Sequence, residues 1–265
     1  MISRRTGLIV LFVITVIVAV VDFMLPRIPQ PQSYHQFADQ RSLLGIPNFG
    51  DVVSNIPFAI FGVWGLIFLL RLKPDQIPEH FIDKRERWFY LIIFGGIFLT
   101  AFGSSYYHWE PGNARLVWDR LPMTIVFMSL VAALIAERIN LRIGLWLLPI
   151  LLLIGVGSVL QWYISELNGV GDLRFYATVQ AYSVIFLFMA LLFPPRYTGG
   201  SDLAIVAGFY LLAKVLETLD KTIFRLGHIV SGHTLKHLAA ALAGYWILRM
   251  LQRRRPIPET VTVRN

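Results

Sequence analysis

The chain has 265 residues, of which 56% are hydrophobic and only 15% charged, and its mean hydropathy is +0.61. Soluble domains average about 45–50% apolar and about 25% charged residues, so this composition indicates a polytopic membrane protein. The net charge of +8 is then explained by basic cytoplasmic loops, without a nucleic acid as partner. Because cysteine is absent, disulfides, thiolate ligands and cysteine nucleophiles are excluded, and any metal must be held by His, Asp or Glu.

Eight apolar segments are long enough to be membrane spans, since about 20 apolar residues cross a bilayer as a helix. In chain order these segments are about 7–25, 51–71, 88–107, 117–136, 143–163, 173–193, 202–219 and 231–251. The first follows Arg4 and Arg5 and lacks a cleavage site of small residues, which favours an uncleaved anchor over a signal peptide. The sequence therefore predicts an all-α integral membrane protein with a seven-helix transmembrane core and one extra N-terminal transmembrane helix.

This pattern divides the chain into three parts. Residues 1–30 form an N-terminal membrane anchor helix and linker, residues 31–251 the seven-transmembrane domain, and residues 252–265 a basic cytoplasmic tail. With the N-terminus inside and the spans alternating, most of the 24 Lys and Arg residues fall in the inside segments. Both termini are therefore predicted to be cytoplasmic. A compact chain without cysteines or long loops favours a bacterial cytoplasmic membrane.

Five polar residues are predicted to meet at the outer, periplasmic end of the spans. The third span ends at Ser104 and His108, and the fourth begins with Asp119. The eighth begins with His233 and His237, which are spaced i, i+4 and so project from one helix face. The assignment of spans uses none of these side chains, so their convergence is independent support for a site.

The three histidines suit a metal ion. Two imidazoles one helical turn apart can share one metal, and a third from another helix leaves a coordination position open for water. Asp119 is then placed to act as general base or to orient a ligand histidine, and Ser104 to bond a developing oxyanion or the water.

Each of these residues also has an ordinary interpretation. His108 alone is typical of an interfacial residue, and Ser104 alone of a serine bonded to its own helix. Asp119 alone suits the first turn of a helix, or an ion pair with Arg120. The cost of unpaired polar groups at membrane depth favours the joint site.

Other polar residues are interpreted structurally. Lys214 and Glu217 are predicted to form an internal ion pair, and Lys236 to reach outward or pair with an acid. Asp51 is interpreted as the N-cap of the second span and Asn55 as a bond between helices. The remaining histidines are interpreted as loop residues without partners at this site: His35, His80 and His228.

Three short motifs resemble a known family. "SSYYH", "DRLPMT" and "HTLKH" resemble the Ser-x3-His, Asp and His-x3-His signature of the alkaline ceramidases. That family belongs to a heptahelical superfamily (CREST) that also includes adiponectin and progestin receptors. "IPNFGDVVSN" is similar to the family's first-core-helix motif, which ends in Ser-Asn. The resemblance covers about residues 34–251 and identifies an alkaline-ceramidase-like domain of bacterial type.

The resemblance implies a ligand set and a reaction. Zinc (Zn2+) would be bound by His108, His233 and His237, with Asp119 transferring protons and Ser104 as the oxyanion or water partner. The family hydrolyses the amide of ceramides, releasing a sphingoid base and a fatty acid.

One segment departs from the family. Eukaryotic members carry an acidic calcium-binding stretch before the first core helix. Here that stretch is "YHQFADQRSLLGIPN", in which Asp39 is the only acid and Asn48 replaces a glutamate. This departure argues against a Ca2+ site and makes ceramide less secure as the substrate than the zinc chemistry.

The leading hypothesis is a zinc-dependent intramembrane amidase whose lipid substrate, a ceramide-like amide, enters from the bilayer. A second is a receptor-like or lipid-sensing heptahelical protein with a structural metal, because one fold can serve both functions. A third is a transporter, suggested by Lys214, Glu217 and Asp220 within the membrane.

Overall fold

The structure is a computed structural model that describes residues 4–258. Residues 259–265 of the predicted tail lie outside the described residues. Within that range the chain is helical and has no β-strand. Its α-helices, in chain order, are α1 (Arg4–Met24), α2 (Phe49–Val53), α3 (Ile56–Arg71), α4 (Ile77–His80), α5 (Arg87–Trp109), α6 (Asn113–Arg138), α7 (Leu141–Leu167), α8 (Arg174–Leu192), α9 (Asp202–Thr218), α10 (Asp220–Gly227) and α11 (Gly232–Arg253).

Six helical spans among the described residues are long and apolar enough to cross a membrane. They are α1, α2 with α3, α5, α6, α7 and α8. This finding confirms the prediction of an all-α, multi-pass membrane protein. The last two predicted spans are also helices but differ in character: α9 has only 17 residues, and α11 opens with the polar stretch GHTLKH. These two helices pack against each other along their length.

The second predicted span is not one continuous helix, because it breaks between α2 and α3. Pro57 lies in the first turn of α3. Proline has no N–H, so it cannot make the hydrogen bond to the preceding turn that would join α2 and α3 into one helix. At the break, Ser54 Oγ donates to the carbonyl oxygen of Asp51 over 3.2 Å, and Asn55 Nδ2 donates to the same oxygen over 2.8 Å. The prediction that Asn55 bonds across helices is therefore wrong, since its amide bonds back to its own segment.

Helix α6 lies at the centre of the bundle, packed between α5 and α7. Its approach to α5 is close at Gly103, where an added Cβ would collide with the backbone carbonyl of Trp118. This contact places Ser104 of α5 beside Asp119 of α6. By contrast α1 packs at the periphery against α8, with most of its apolar side chains exposed, as expected for a helix surrounded by lipid.

Two of the histidines interpreted as loop residues are instead held in short helices. His80 lies in α4, is buried, and its Nδ1 is 3.0 Å from the carbonyl oxygen of Leu251. His35 ends a 3-10 helix, Gln32–His35, and its two ring nitrogens each lie 2.9 Å from a partner, Tyr107 Oη and Asn113 Oδ1. His228 is a loop residue as predicted, directly after α10.

Candidate metal centre

Three buried histidines converge at one end of the bundle. The ligand atoms of His108, His233 and His237 all lie within 4.8 Å of one another, and none of these residues is more than 5% exposed. His108 Nε2 and His233 Nε2 are 3.3 Å apart. Tetrahedral zinc with Zn–N bonds of 2.0–2.1 Å separates two ligand nitrogens by about 3.3 Å. The predicted convergence of these three residues is therefore confirmed, and their spacing fits a metal ion.

The ends of two helices position these ligands. His108 lies in the last turn of α5, where Asn48 Nδ2 donates to its carbonyl oxygen over 2.9 Å. His233 and His237 occupy the first two turns of α11. The backbone N–H of His233 donates to Asp220 Oδ1 over 2.8 Å, which fixes the start of α11 against α10.

A serine orients one ligand. His237 Nδ1 lies 2.8 Å from Ser54 Oγ, and Ser54 Oγ lies 3.2 Å from the carbonyl oxygen of Asp51. In the tautomer in which Nδ1 donates to Ser54, the Nε2 lone pair of His237 is free for a metal ion. By contrast His108 Nδ1 is buried without a hydrogen-bond partner. Sequence reasoning missed Ser54 as part of the site, although it ends the "DVVS" segment of the recognised motif.

The interpretation of Asp51 as an N-cap is wrong. Its carboxylate is fully buried, and Oδ1 accepts hydrogen bonds from Thr234 Oγ1 over 2.7 Å and Ser231 Oγ over 3.3 Å. The N-cap of α2 is Asn48, which adopts left-handed backbone angles. Asp51 therefore joins α2 to the first turn of α11, beside the histidines.

Ser104 and Asp119 form a buried pair next to the histidines. Ser104 is 2% exposed and Asp119 9%, and they lie on α5 and α6 where these helices approach closely at Gly103. Asp119 lies in the second turn of α6, which begins at Asn113, so it is not a first-turn acid. Arg120 does not pair with Asp119 but donates to Gln30 Oε1 over 2.6 Å.

A loop covers the histidines. The ring centroid of Phe37 lies 4.6 Å from that of His108 and 4.5 Å from that of His233, and Phe37 is buried. The neighbouring Ala38 N–H donates to Asp220 Oδ2 over 2.9 Å, so one carboxylate fastens both the loop and the start of α11. No pattern in the sequence marked Phe37, because its role depends on how a proline-rich loop folds back.

The charged residues of α9 are paired as predicted. Lys214 Nζ lies 2.8 Å from Glu217 Oε2, and Lys236 Nζ of α11 lies 2.7 Å from Glu217 Oε1. Lys236 adjoins His237 on α11, so this ion-paired cluster lies next to the three histidines.

The single acid of the loop is also paired. Arg41 donates to both carboxylate oxygens of Asp39, over 2.8 and 2.7 Å, and to the carbonyl oxygens of His228 and Ile229. The guanidinium holds the pKa of Asp39 below its ordinary value. Asp39 therefore stays ionised and engaged in a side-chain pair next to the covering loop.

The arrangement combines three nitrogen ligands, a carboxylate–hydroxyl pair and an apolar cover. Comparison with known proteins adds nothing to it, because no family model and no curated protein matches the chain.

Proposed function

We propose that the protein is a zinc-dependent intramembrane hydrolase of the alkaline ceramidase family that cleaves a ceramide-like lipid amide into a sphingoid base and a fatty acid. The observation that carries this proposal is the cluster of three buried imidazoles, two of them with nitrogens 3.3 Å apart, beside a buried Ser104–Asp119 pair. Three imidazoles without a thiolate are the ligand set of a catalytic rather than a structural zinc site.

In this proposal His108, His233 and His237 hold zinc, which when bound polarises a carbonyl group and makes a water molecule more acidic. Asp119 accepts the proton of the attacking water and delivers it to the amide nitrogen as the C–N bond breaks. Ser104 donates its hydroxyl hydrogen bond to the carbonyl oxygen as negative charge develops there. The products are a free amine and a carboxylic acid.

The proposed membrane arrangement has seven core spans, formed by α2 with α3, α5 to α9 and α11, and α1 as the extra N-terminal helix. Both termini are then cytoplasmic in a bacterial cytoplasmic membrane, with the metal centre near the periplasmic face. Lys214 of α9 and Lys236 of α11 both form ion pairs with Glu217, near the ends of these helices that this arrangement makes the outer ones. The pairing lowers the cost of holding these charges within the membrane, which supports the placement. A lipid can then enter from the bilayer.

Metal analysis tests the first step. We expect purified wild-type protein to contain about one zinc per chain, because three preformed nitrogen ligands bind zinc tightly. His233→Ala should lose the metal, whereas His80→Gln, which alters a buried histidine outside the site, should keep it. Incubation with a panel of lipid amides and esters, with and without chelator, and mass spectrometry of released fatty acid then tests hydrolysis. Wild-type protein without zinc would contradict the proposal.

A second candidate is a lipid-sensing, receptor-like protein with a structural metal, favoured by the close cover of Phe37 over the histidines. Asp119→Asn separates the two candidates. A hydrolase should keep its zinc and lose about 10²–10⁴-fold in kcat, because proton transfer is removed. A receptor should keep both zinc and lipid affinity. Turnover that survives Asp119→Asn would exclude the proton-transfer role.

A further inference from the structure

A second unusual polar group lies beside the metal centre. Arg120 is 3% exposed, and its guanidinium carbon lies 4.1 Å from the ring centroid of Trp162, 4.4 Å from that of Tyr176 and 5.7 Å from that of Tyr34. We call these four residues the Arg120 box. One guanidinium nitrogen, Nη2, donates to Gln30 Oε1 over 2.6 Å. The other, Nη1, has no hydrogen-bond partner, and neither has Nε1 of the fully buried Trp162.

A comparable arginine elsewhere in the chain shows what is missing. Arg254 is also buried and lies over three aromatic rings, at 4.0 to 5.0 Å from their centroids. Its Nη1, however, lies 3.1 Å from Glu137 Oε2. No acid among residues 4–258 forms an ion pair with Arg120. Since a buried charge without a counter-charge is costly, Arg120 is suited to a negative partner from outside the chain.

The box is linked to the candidate metal centre through its neighbours. Arg120 follows Asp119 on α6. From the other side, Tyr34 precedes His35, whose Nδ1 lies 2.9 Å from Tyr107 Oη, and Tyr107 precedes His108, with ring centroids 4.8 Å apart. Arg120 is therefore an unpaired positive charge two contacts away from the histidines.

We propose that the Arg120 box binds an acidic group, a carboxylate, phosphate or sulfonate, in the head of the lipid amide. Two unpaired donors, Arg120 Nη1 and Trp162 Nε1, suit the oxygens of such a group, and a guanidinium is the side chain best matched to planar oxyanions. The inference rests on the proposed hydrolase for the reaction and sharpens its substrate class: an acidic lipid amide is bound in preference to a neutral ceramide.

Equilibrium binding tests the proposal without requiring turnover. The probes are N-acylglycine, N-acyltaurine and N-acylethanolamine of one acyl chain, measured on zinc-loaded protein in nanodiscs of neutral lipid. We expect wild-type protein to bind the two acidic amides about tenfold or more tightly than the neutral one, as a charged hydrogen bond allows. Millimolar inorganic phosphate is added as a competitor. Phosphate should block a site for free anions, but it should not block a site for the acidic group of a lipid.

Variants locate the effect. Arg120→Gln should lower the affinity for the acidic amides about tenfold more than that for the neutral amide, whereas Arg115→Gln, which removes from the same helix a half-buried charge paired with Glu110, should preserve the preference. Trp162→Phe keeps the ring, removes only the N–H donor and should lower the preference several-fold, which tests the site even where Arg120→Gln fails to fold. Equal binding of acidic and neutral amides by wild-type protein, or equal losses for both in Arg120→Gln, would overturn the inference. A preference without cleavage of any amide would instead refute the hydrolase and leave the binding site.

Discussion

The two ends of the helix bundle both contain buried polar clusters, but the clusters are satisfied in different ways. At the end that the proposed topology makes the inner one, Arg254 and Arg138 share Glu137, and Tyr197 donates to Glu86 over 2.5 Å. At the opposite end, the outer one in that topology, the nitrogens of three histidines face one another, and one nitrogen of His108 has no partner. Imidazoles that converge without an acid between them are suited to a cation.

This contrast separates structural from functional polarity. The inner cluster joins the end of α11 to α6 and to the loops beside it, and its charges are matched within the chain. The outer cluster also has hydrogen bonds around it, made by Ser54, Asp51 and Asp220. Both clusters contain buried atoms without hydrogen-bond partners, such as Arg254 Nη2 and Asp51 Oδ2. The difference lies in the counter-charge, because the inner guanidinium groups share a carboxylate and, among the described residues, the three imidazoles pair with none.

Breaking the inner cluster should give the largest effect on stability. Glu137→Gln leaves two buried guanidinium groups without their shared carboxylate, and loss of one partner of a buried pair costs about 3–5 kcal/mol. We expect a markedly lower midpoint of thermal unfolding, with zinc content unchanged in the folded fraction. Glu79→Gln, which breaks an exposed pair with Arg255, is the control and should have little effect. An unaltered midpoint in Glu137→Gln would remove the distinction between the two ends.

Much of the outer end could be predicted from the sequence because topology and helical period place its residues. The spans put the end of α5 and the starts of α6 and α11 on one side, and the i, i+4 spacing puts His233 and His237 on one face. These inferences need only the direction of each helix. The same reasoning predicted the ion pair between Lys214 and Glu217, three residues apart on one helix.

What could not be predicted depends on how irregular segments fold. Asp51 resembles an N-cap in sequence, but the chain reaches its N-cap three residues earlier, at Asn48, and Asp51 instead meets Thr234. The positions of Phe37 and His35 depend on a loop without periodicity. The partner of Arg120 is equally non-local, since Gln30 lies 90 residues away in the chain. Such contacts leave no local pattern in the sequence.

Ser54 offers an intermediate effect that sharpens the definition of the outer site. Because its hydroxyl fixes the orientation of His237, Ser54→Ala should weaken zinc binding by about 10–100-fold, the usual result of removing a hydrogen-bond partner of a ligand histidine. Zinc affinity is measured by competition with a chelator of known strength. Ser129→Ala removes another fully buried serine, whose hydroxyl has no partner, and serves as the control with unchanged affinity. A normal affinity in Ser54→Ala would show that the frame does not tune the histidines.

The smallest expected effect concerns the pair that holds the covering loop. Because Arg41 keeps the pKa of Asp39 below its ordinary value of about 4, the pair stabilises the folded loop above that pH and loses this contribution as the pH falls through the lowered value. Wild-type protein should therefore lose thermal stability below about pH 4. Arg41→Gln should be slightly less stable at neutral pH and show a weaker acid-dependent loss, seen as melting midpoints between about pH 3 and 6.

The rate at which a chelator removes zinc tests whether the loop protects the histidines. Arg41→Gln should increase this rate, whereas Arg85→Gln, which breaks a similar pair with Asp83 far from the loop, should leave it unchanged. Equal rates in the two variants would mean that the loop does not protect the histidines, and the difference between the two ends would then lie in the ligands alone.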